Sequence, residues 1–215
     1  MKALIMIDIQ NDFMPWGSLP VPDGDAIIPV VNKLQDNFEL VIATLDWHPA
    51  NHKSFASNHA GKKPLDIIDL NGLQQTLWPD HCIQGSSGAD FPDSLNMNKA
   101  TAIFRKGTDP ELDSYSDFYD NGRRKSTGVA GYLREKNVNE VYLTGLAGDI
   151  CVYATAMDSI SEKFITYIVE DATRPLNRDD FEKAMKHFTQ NGGKIIQSAE
   201  LIAAFETVHL QSNKK

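Results

Sequence analysis

Ala3-Leu4-Ile5-Met6-Ile7 is apolar at every position. A strand with one wet face alternates apolar and polar residues, so an unbroken run of this length reads as a strand covered on both faces, as in a parallel sheet. Leu40 to Leu45, Thr101 to Gly107, Val141 to Thr144, Phe164 to Val169 and Lys194 to Gln197 read as further strands. Helical spacing lies between them, over Asp25 to Gln35, Ser126 to Lys136, the residues after Asp149, Arg178 to Asn191, and Ala199 to about Val208. Strands alternating with helices predict a three-layer α/β/α fold with a six-stranded, mostly parallel sheet and helices on both faces. With 215 residues and 41% hydrophobic content the chain can bury a full core, and no linker divides it, so residues 1–215 are expected to form a single domain.

The net charge of -8 disfavours nucleic-acid and anionic-membrane partners. The N-terminal apolar stretch is interrupted by Asp8 and is too short for a signal peptide or a spanning helix, so a cytoplasmic location is expected. Cys82 and Cys151 are the only cysteines, which gives no disulfide framework and leaves both thiols for packing or chemistry.

Val141 to Thr155 runs from a strand through Gly145 and Gly148 into helical spacing, which places Cys151 at a helix start. Unpaired amides and the helix macrodipole there favour a thiolate and could hold an oxyanion, although a small buried packing cysteine fits the same sequence. Asp8 and Lys106 end two other predicted strands, so one sheet edge can bring all three together, and ligands of open α/β sheets gather at that edge. A thiol with a free pKa of about 8.5 needs help at neutral pH, which a carboxylate supplies as base and a lysine cation as stabiliser of the thiolate. A turn-forming Asp8 and a snorkelling Lys106 are the alternatives. Asp46 and His48 stand two apart at a strand end and can point to one side, with His81 available to complete a set for Zn²⁺ or Fe²⁺. Ordinary surface histidines also fit that spacing. The stretch from Pro49 to about Lys99 shows no sustained period, and its Trp78, histidines and prolines suggest a functional loop.

Six ordered motifs span nearly the whole chain: Ile7-Asp8-Ile9-Gln10-Asn11-Asp12-Phe13, Asp46-Trp47-His48-Pro49, Trp78-Pro79-Asp80-His81-Cys82, Phe104-Arg105-Lys106-Gly107, Asp113-Ser114-Tyr115-Ser116, and Gly145-Leu146-Ala147-Gly148-Asp149-Ile150-Cys151-Val152. Through them the sequence resembles the isochorismatase-like cysteine hydrolases and, within these, the metal-dependent nicotinamidase/pyrazinamidase enzymes. The resemblance implies hydrolysis of nicotinamide to nicotinate and ammonia in NAD salvage, with pyrazinamide as a further substrate. It implies Cys151 as nucleophile, Asp8 as general base, Lys106 as third catalytic member, and the amides of Ala147 and Cys151 as oxyanion hole, with a cis peptide before Ala147. It also implies one divalent metal on Asp46, His48 and His81, zinc first with iron or manganese as alternatives, whose open position takes the pyridine nitrogen. Phe13 and Trp78 are then expected to sandwich the ring, with Tyr115 beside it. Some relatives carry a fourth protein ligand where this chain has Ser54, so three protein ligands plus a water held by Ser54 are expected, His52 and His59 fitting the spacing less well.

The expected partner is a small molecule, with the chain a monomer or homo-oligomer. A metal-free amidase or ureidohydrolase of the same superfamily is the nearest rival, distinguished by lacking the metal set. A nucleotide-binding module is disfavoured because Asp8-Ile9-Gln10-Asn11-Asp12 follows the first strand, where G-x-G-x-x-G would be needed.

Overall fold

A computed structural model describes the backbone of residues 1–212 and the side chains of residues 1–207; residues 213–215 of the expected domain lie outside the described residues. In chain order the elements are β1 (Lys2–Ile7), α1 (Ile28–Leu34), β2 (Leu40–Asp46), β3 (Ile67–Leu70), β4 (Leu73–Thr76), β5 (Ala100–Lys106), α2 (Val129–Glu135), β6 (Glu140–Leu146), α3 (Tyr153–Ser161), β7 (Ile165–Arg174), α4 (Arg178–Gln190), β8 (Lys194–Ile196) and α5 (Ser198–Ser212).

Six of the strands form one sheet in the order β5-β2-β1-β6-β7-β8, and every pairing is parallel. The expectation of a mostly parallel sheet is therefore met in full. Alternation along β1 divides the core: Leu4 and Met6 pack with Ile28, Val31 and Leu34 of α1 and Leu201 of α5, whereas Ala3, Ile5 and Ile7 pack with α2, α3 and α4. Burying both sets is why β1 carries no polar residue between Ala3 and Ile7. The order in which strands are added reverses between β1 and β6, successive strands running outward to β5 on one side and to β8 on the other, which makes their carboxyl ends a topological switch point.

Three segments differ from the sequence reading. The stretch from Pro49 to Lys99 contains an antiparallel hairpin, β3–β4, joined by Asn71 and Gly72, both at positive φ. Asn-Gly between short strands is the usual signal of a two-residue hairpin turn, and the surrounding aperiodic sequence obscured it. The helix expected from Asp25 begins as a 3₁₀ turn over Gly24–Ile27 before α1. The helix expected from Ser126 begins at Val129, after Gly128 in a left-handed conformation.

Gly145 is fixed by close approach. It pairs with Ile7 at φ 119°, and an added Cβ would lie 2.0 Å from the Ile7 carbonyl oxygen. Gly145→Ala is accordingly expected to lower unfolding free energy by roughly 3 kcal/mol or more, through backbone strain and a clash at the centre of the sheet. Urea denaturation of the purified variant checks this, and a loss below about 1 kcal/mol would show that β1 and β6 can separate there.

Candidate active site

Asp8 follows β1, Asp46 and Lys106 end β2 and β5, and Cys151 lies in a π-helical turn over Gly148–Val152 between β6 and α3. The four side chains meet at the switch point and all are buried. At their centre is the Lys106 ammonium. It donates to Asp46 Oδ1 at 2.7 Å, to the Ser114 carbonyl at 2.9 Å and to Cys151 Sγ at 3.5 Å. Asp8 Oδ2 lies 2.8 Å from the same nitrogen, an ion pair that holds that carboxylate against Lys106. One oxygen of Asp8, one of Asp46 and Cys151 Sγ lie within 4.8 Å of one another.

Burial pushes the Asp8 carboxyl up to about 6, against the pull of Lys106. Burial also opposes the charge on Lys106, but Asp46 and Asp8 outweigh it and hold the ammonium protonated well above the ordinary lysine range. For Asp46 burial again acts upward, yet Lys106 and His48 keep the carboxylate ionised. Cys151 is not at a simple α-helix start, and burial, with Asp8 and Asp46 adding to it, pushes the thiol well up despite Lys106. That direction fits the expectation of a thiol that needs a neighbouring base.

The turn that carries Cys151 also arranges amides. The Leu146–Ala147 peptide is cis, and the Ala147 carbonyl accepts from the amides of Ile150 and Val152 at 3.1 Å, passing over that of Cys151.

Asp46, His48 and His81 form a second buried group, with ligand atoms within 4.8 Å of one another. His48 Nδ1 is 2.9 Å from the Gly107 carbonyl and His81 Nδ1 is 2.8 Å from that of Pro79. Each ring thereby carries its proton on Nδ1 and turns a bare Nε2 toward Asp46 Oδ2, at 3.7 and 3.8 Å. This donor set suits a borderline divalent ion. Two devices bring His81 there from the long loop: His48 and Cys82 share a backbone hydrogen bond of 3.0 Å, and Asp12 accepts from the Cys82 amide at 2.7 Å. Gly107, at φ 63°, leaves room for the His48 ring, since a Cβ would lie 2.3 Å from its Cε1.

Ser54 is tied to His52. Its hydroxyl is 2.7 Å from His52 Nδ1, and its amide donates to the same nitrogen at 3.1 Å. His52 is buried with its ring 4.4 Å from that of His48, and His59 bonds the Lys53 carbonyl instead.

Between the two groups opens a narrow cleft walled by Phe13, Trp78 and Tyr115, with Cys151 and Ala147 on one side and Asp46 and His81 on another. Trp78 Nε1 and Gln75 Nε2 donate to the Tyr115 hydroxyl at 3.2 and 3.1 Å, fixing both aromatic walls. All three aromatic residues singled out in the sequence therefore face the same cleft. Leu19 and Leu176 complete it and carried no sequence signal, being apolar residues on irregular segments. Gln10 was also missed: its side chain donates to the Asp46 carbonyl at 2.8 Å and accepts from the Asp46 amide at 2.9 Å, pinning the end of β2. Its place in the first motif, two residues after Asp8, was the available signal.

The geometry makes Lys106 the keystone of the site. Lys106→Met leaves two buried carboxylates without their cation and is expected to cost about 3–5 kcal/mol of stability at pH 7. The deficit should shrink toward pH 5 as the carboxyls take up protons. Denaturation curves at both pH values test this, and equal deficits would mean that the ion pairs contribute little.

The model of the isochorismatase domain matches residues 2–200. The chain is 41% identical to a nicotinamidase from Acinetobacter baylyi, covering 93% of this chain and 94% of that one. Among solved structures, a nicotinamidase/pyrazinamidase from Acinetobacter baumanii superposes with a TM-score of 0.91 at 44% identity, covering 93% of this chain and 97% of that one. A pyrazinamidase of Pyrococcus horikoshii in complex with zinc superposes with a TM-score of 0.75 at 38% identity, covering 91% and 98%.

Proposed function

Because this chain belongs to the isochorismatase-domain family, we propose that the cleft is the active site of a nicotinamidase. The chain is an amidohydrolase that converts nicotinamide to nicotinate and ammonia in NAD salvage, and pyrazinamide, the same carboxamide on a diazine ring, is a further substrate. The observation that carries this reading is the juxtaposition of a buried thiol with its own carboxylate and cation, and an Asp-His-His set across one aromatic-walled cleft.

In the proposed reaction the Asp8 carboxylate, one oxygen of which lies within 4.8 Å of the thiol sulfur, takes the Cys151 proton. The thiolate attacks the carboxamide carbon, and the amides of Ala147 and Cys151 receive the oxyanion. Asp8 returns the proton to departing ammonia, which leaves a thioester. Asp8 then deprotonates a water that attacks the thioester carbon; the C–S bond breaks, nicotinate leaves, and the proton on Asp8 returns to the Cys151 sulfur. Lys106 holds Asp8, Asp46 and Cys151 in register and balances the negative charge as it moves.

Asp46, His48 and His81 would hold the divalent ion, with zinc first and iron or manganese as alternatives. When bound, the ion supplies an open position for the ring nitrogen and so orients the carboxamide toward Cys151. Phe13 and Trp78 would stack on the ring with Tyr115 at its edge. No helix among the described residues is long and apolar enough to cross a membrane; a cytoplasmic location, as monomer or homo-oligomer, completes the reading.

Three outcomes follow. Cys151→Ala is expected to abolish ammonia release from nicotinamide, and protein quenched during wild-type turnover should carry a nicotinoyl adduct on the Cys151 peptide by mass spectrometry. Substantial steady-state turnover by the alanine variant would exclude the thioester. Since Asp8 must be ionised to act as base and burial lifts it to about 6, kcat/KM should rise through about pH 6 as pH increases; an acid limb near 4 would point to an exposed base instead. Purified protein is expected to carry about one divalent ion per chain by elemental analysis, and His48→Ala should lose most of it while keeping the far-UV circular dichroism spectrum.

A further inference from the structure

A second cavity, of about 870 Å³, adjoins the cleft on its outer side. Leu19, Trp78, Tyr115, Ile150 and Leu176 line both spaces, so the cleft leads directly into it. Cys151, Asp46 and His81 line the cleft alone. The outer cavity therefore lies away from both the thiol and the Asp-His-His set. Its further walls include Pro64, Leu65 and Pro79 from the long segment after β2, and Ala154 from α3. This volume and a mostly apolar lining are those of a small-molecule site.

Two features of the lining say what chemistry it favours. Leu65 is 69% exposed and stands at φ 72°, a conformation that bulky side chains rarely adopt. The backbone holds it there: the Leu65 amide donates to the Leu77 carbonyl at 2.7 Å, and the Leu77 amide donates to the Asp66 carbonyl at 2.8 Å. An uncovered leucine alone is ordinary, but this one continues the apolar surface of Pro64, Pro79, Ile150 and Leu176 inside a concavity. The only charged residues on the lining are Asp149 and Asp180, so an anionic group entering it meets two carboxylates and no cation.

We propose that the outer cavity is a subsite for a neutral, apolar substituent at C5 of the substrate ring, which extends the substrate class to 5-substituted pyridine-3-carboxamides. The pose rests on the amidase reading. With the ring nitrogen at the Asp-His-His set and the carboxamide carbon at Cys151, the ring edge N1–C2–C3 faces the inner end of the cleft. C5 is opposite C2 and points away from both groups, toward the walls that the two spaces share. A substituent at C6 instead stands beside the ring nitrogen and collides with whatever holds it. Hydrolysis of the extended amide then follows the same steps as for nicotinamide.

The kinetic test measures ammonia release by the holoenzyme from nicotinamide and from its 5-phenyl and 6-phenyl derivatives. The 5-phenyl compound is expected to keep kcat/KM within tenfold of nicotinamide, and the 6-phenyl compound to fall at least a hundredfold below it. Ala154→Trp, which fills the cavity from α3, should lower kcat/KM for 5-phenylnicotinamide at least tenfold. Leu65→Asp, which places a charge on the apolar wall with a residue that tolerates positive φ, should lower it at least threefold. Nicotinamide turnover should change less than twofold in both variants. Calorimetry on Cys151→Ala protein gives a readout without turnover: 5-phenylnicotinamide should bind at least fivefold more tightly than nicotinamide, and the 5-carboxylate derivative more weakly. A 5-phenyl compound more than tenfold slower than nicotinamide, a 6-phenyl compound as fast as the 5-phenyl one, or no loss in either cavity variant overturns the proposal. If wild-type protein releases no ammonia from nicotinamide, the amidase reading fails instead, and the calorimetric preference alone decides for or against the subsite.

Discussion

The Lys106 ammonium is the one cation on which both halves of the site depend. Through Asp46 Oδ1 it touches the Asp-His-His set, and through Asp8 Oδ2 and Cys151 Sγ it touches the proposed nucleophile and base. A buried lysine is costly by itself, and a buried carboxylate equally so. The two carboxylates make the charge on Lys106 tolerable, and Lys106 does the same for them. Such a cluster contributes little net stability compared with an apolar core of the same volume. What it does is fix positions, because each member is expensive without the others and none can leave.

Those positions are set by the sheet. Parallel pairing places the ends of β5, β2 and β1 side by side, and the β6 end beside β1, so four residues from distant parts of the sequence converge without any loop having to search for them. Rigidity of this kind suits a reaction that depends on distances of a few tenths of an ångström. The long segment between β2 and β5 has the opposite task. It brings His81 and Trp78 over the sheet end and is held there by the Asp12 carboxylate on the Cys82 amide, the His48–Cys82 backbone bond and the Gln10 side chain on the Ala89 carbonyl.

How much of this was legible in the sequence follows from that division. Residues at strand ends could be located because apolar periodicity marks strands, and strand ends mark the functional edge; hence Asp8, Asp46, Lys106 and the turn before Cys151 were found together. The resemblance to known hydrolases added what periodicity does not encode, including the cis peptide before Ala147, which is present. Leu19, Leu176 and the role of Gln10 were not legible, since their positions depend on loops closing against one another in three dimensions. The helix-start effect on Cys151 was legible because it is local, whereas burial and the carboxylates of Asp8 and Asp46, which push the thiol up, act across the chain and were not.

In the proposed reaction the proton between Cys151 and Asp8 has a double task. A preformed thiolate would leave Asp8 with no proton to accept and none to give to the leaving ammonia. Burial that pushes the Cys151 thiol up favours keeping the proton on sulfur until an electrophilic carbon is in place. Moving the proton from Cys151 to Asp8 would leave the total charge of the buried cluster unchanged and shift one negative charge from a position 2.8 Å from the ammonium to one 3.5 Å away. On the proposed mechanism that transfer is mildly uphill in electrostatic terms, and attack on the carboxamide would offset it by carrying the charge onward to the amides of Ala147 and Cys151. Under the same reading thiolate character, on which oxidation and alkylation depend, would arise only with substrate bound.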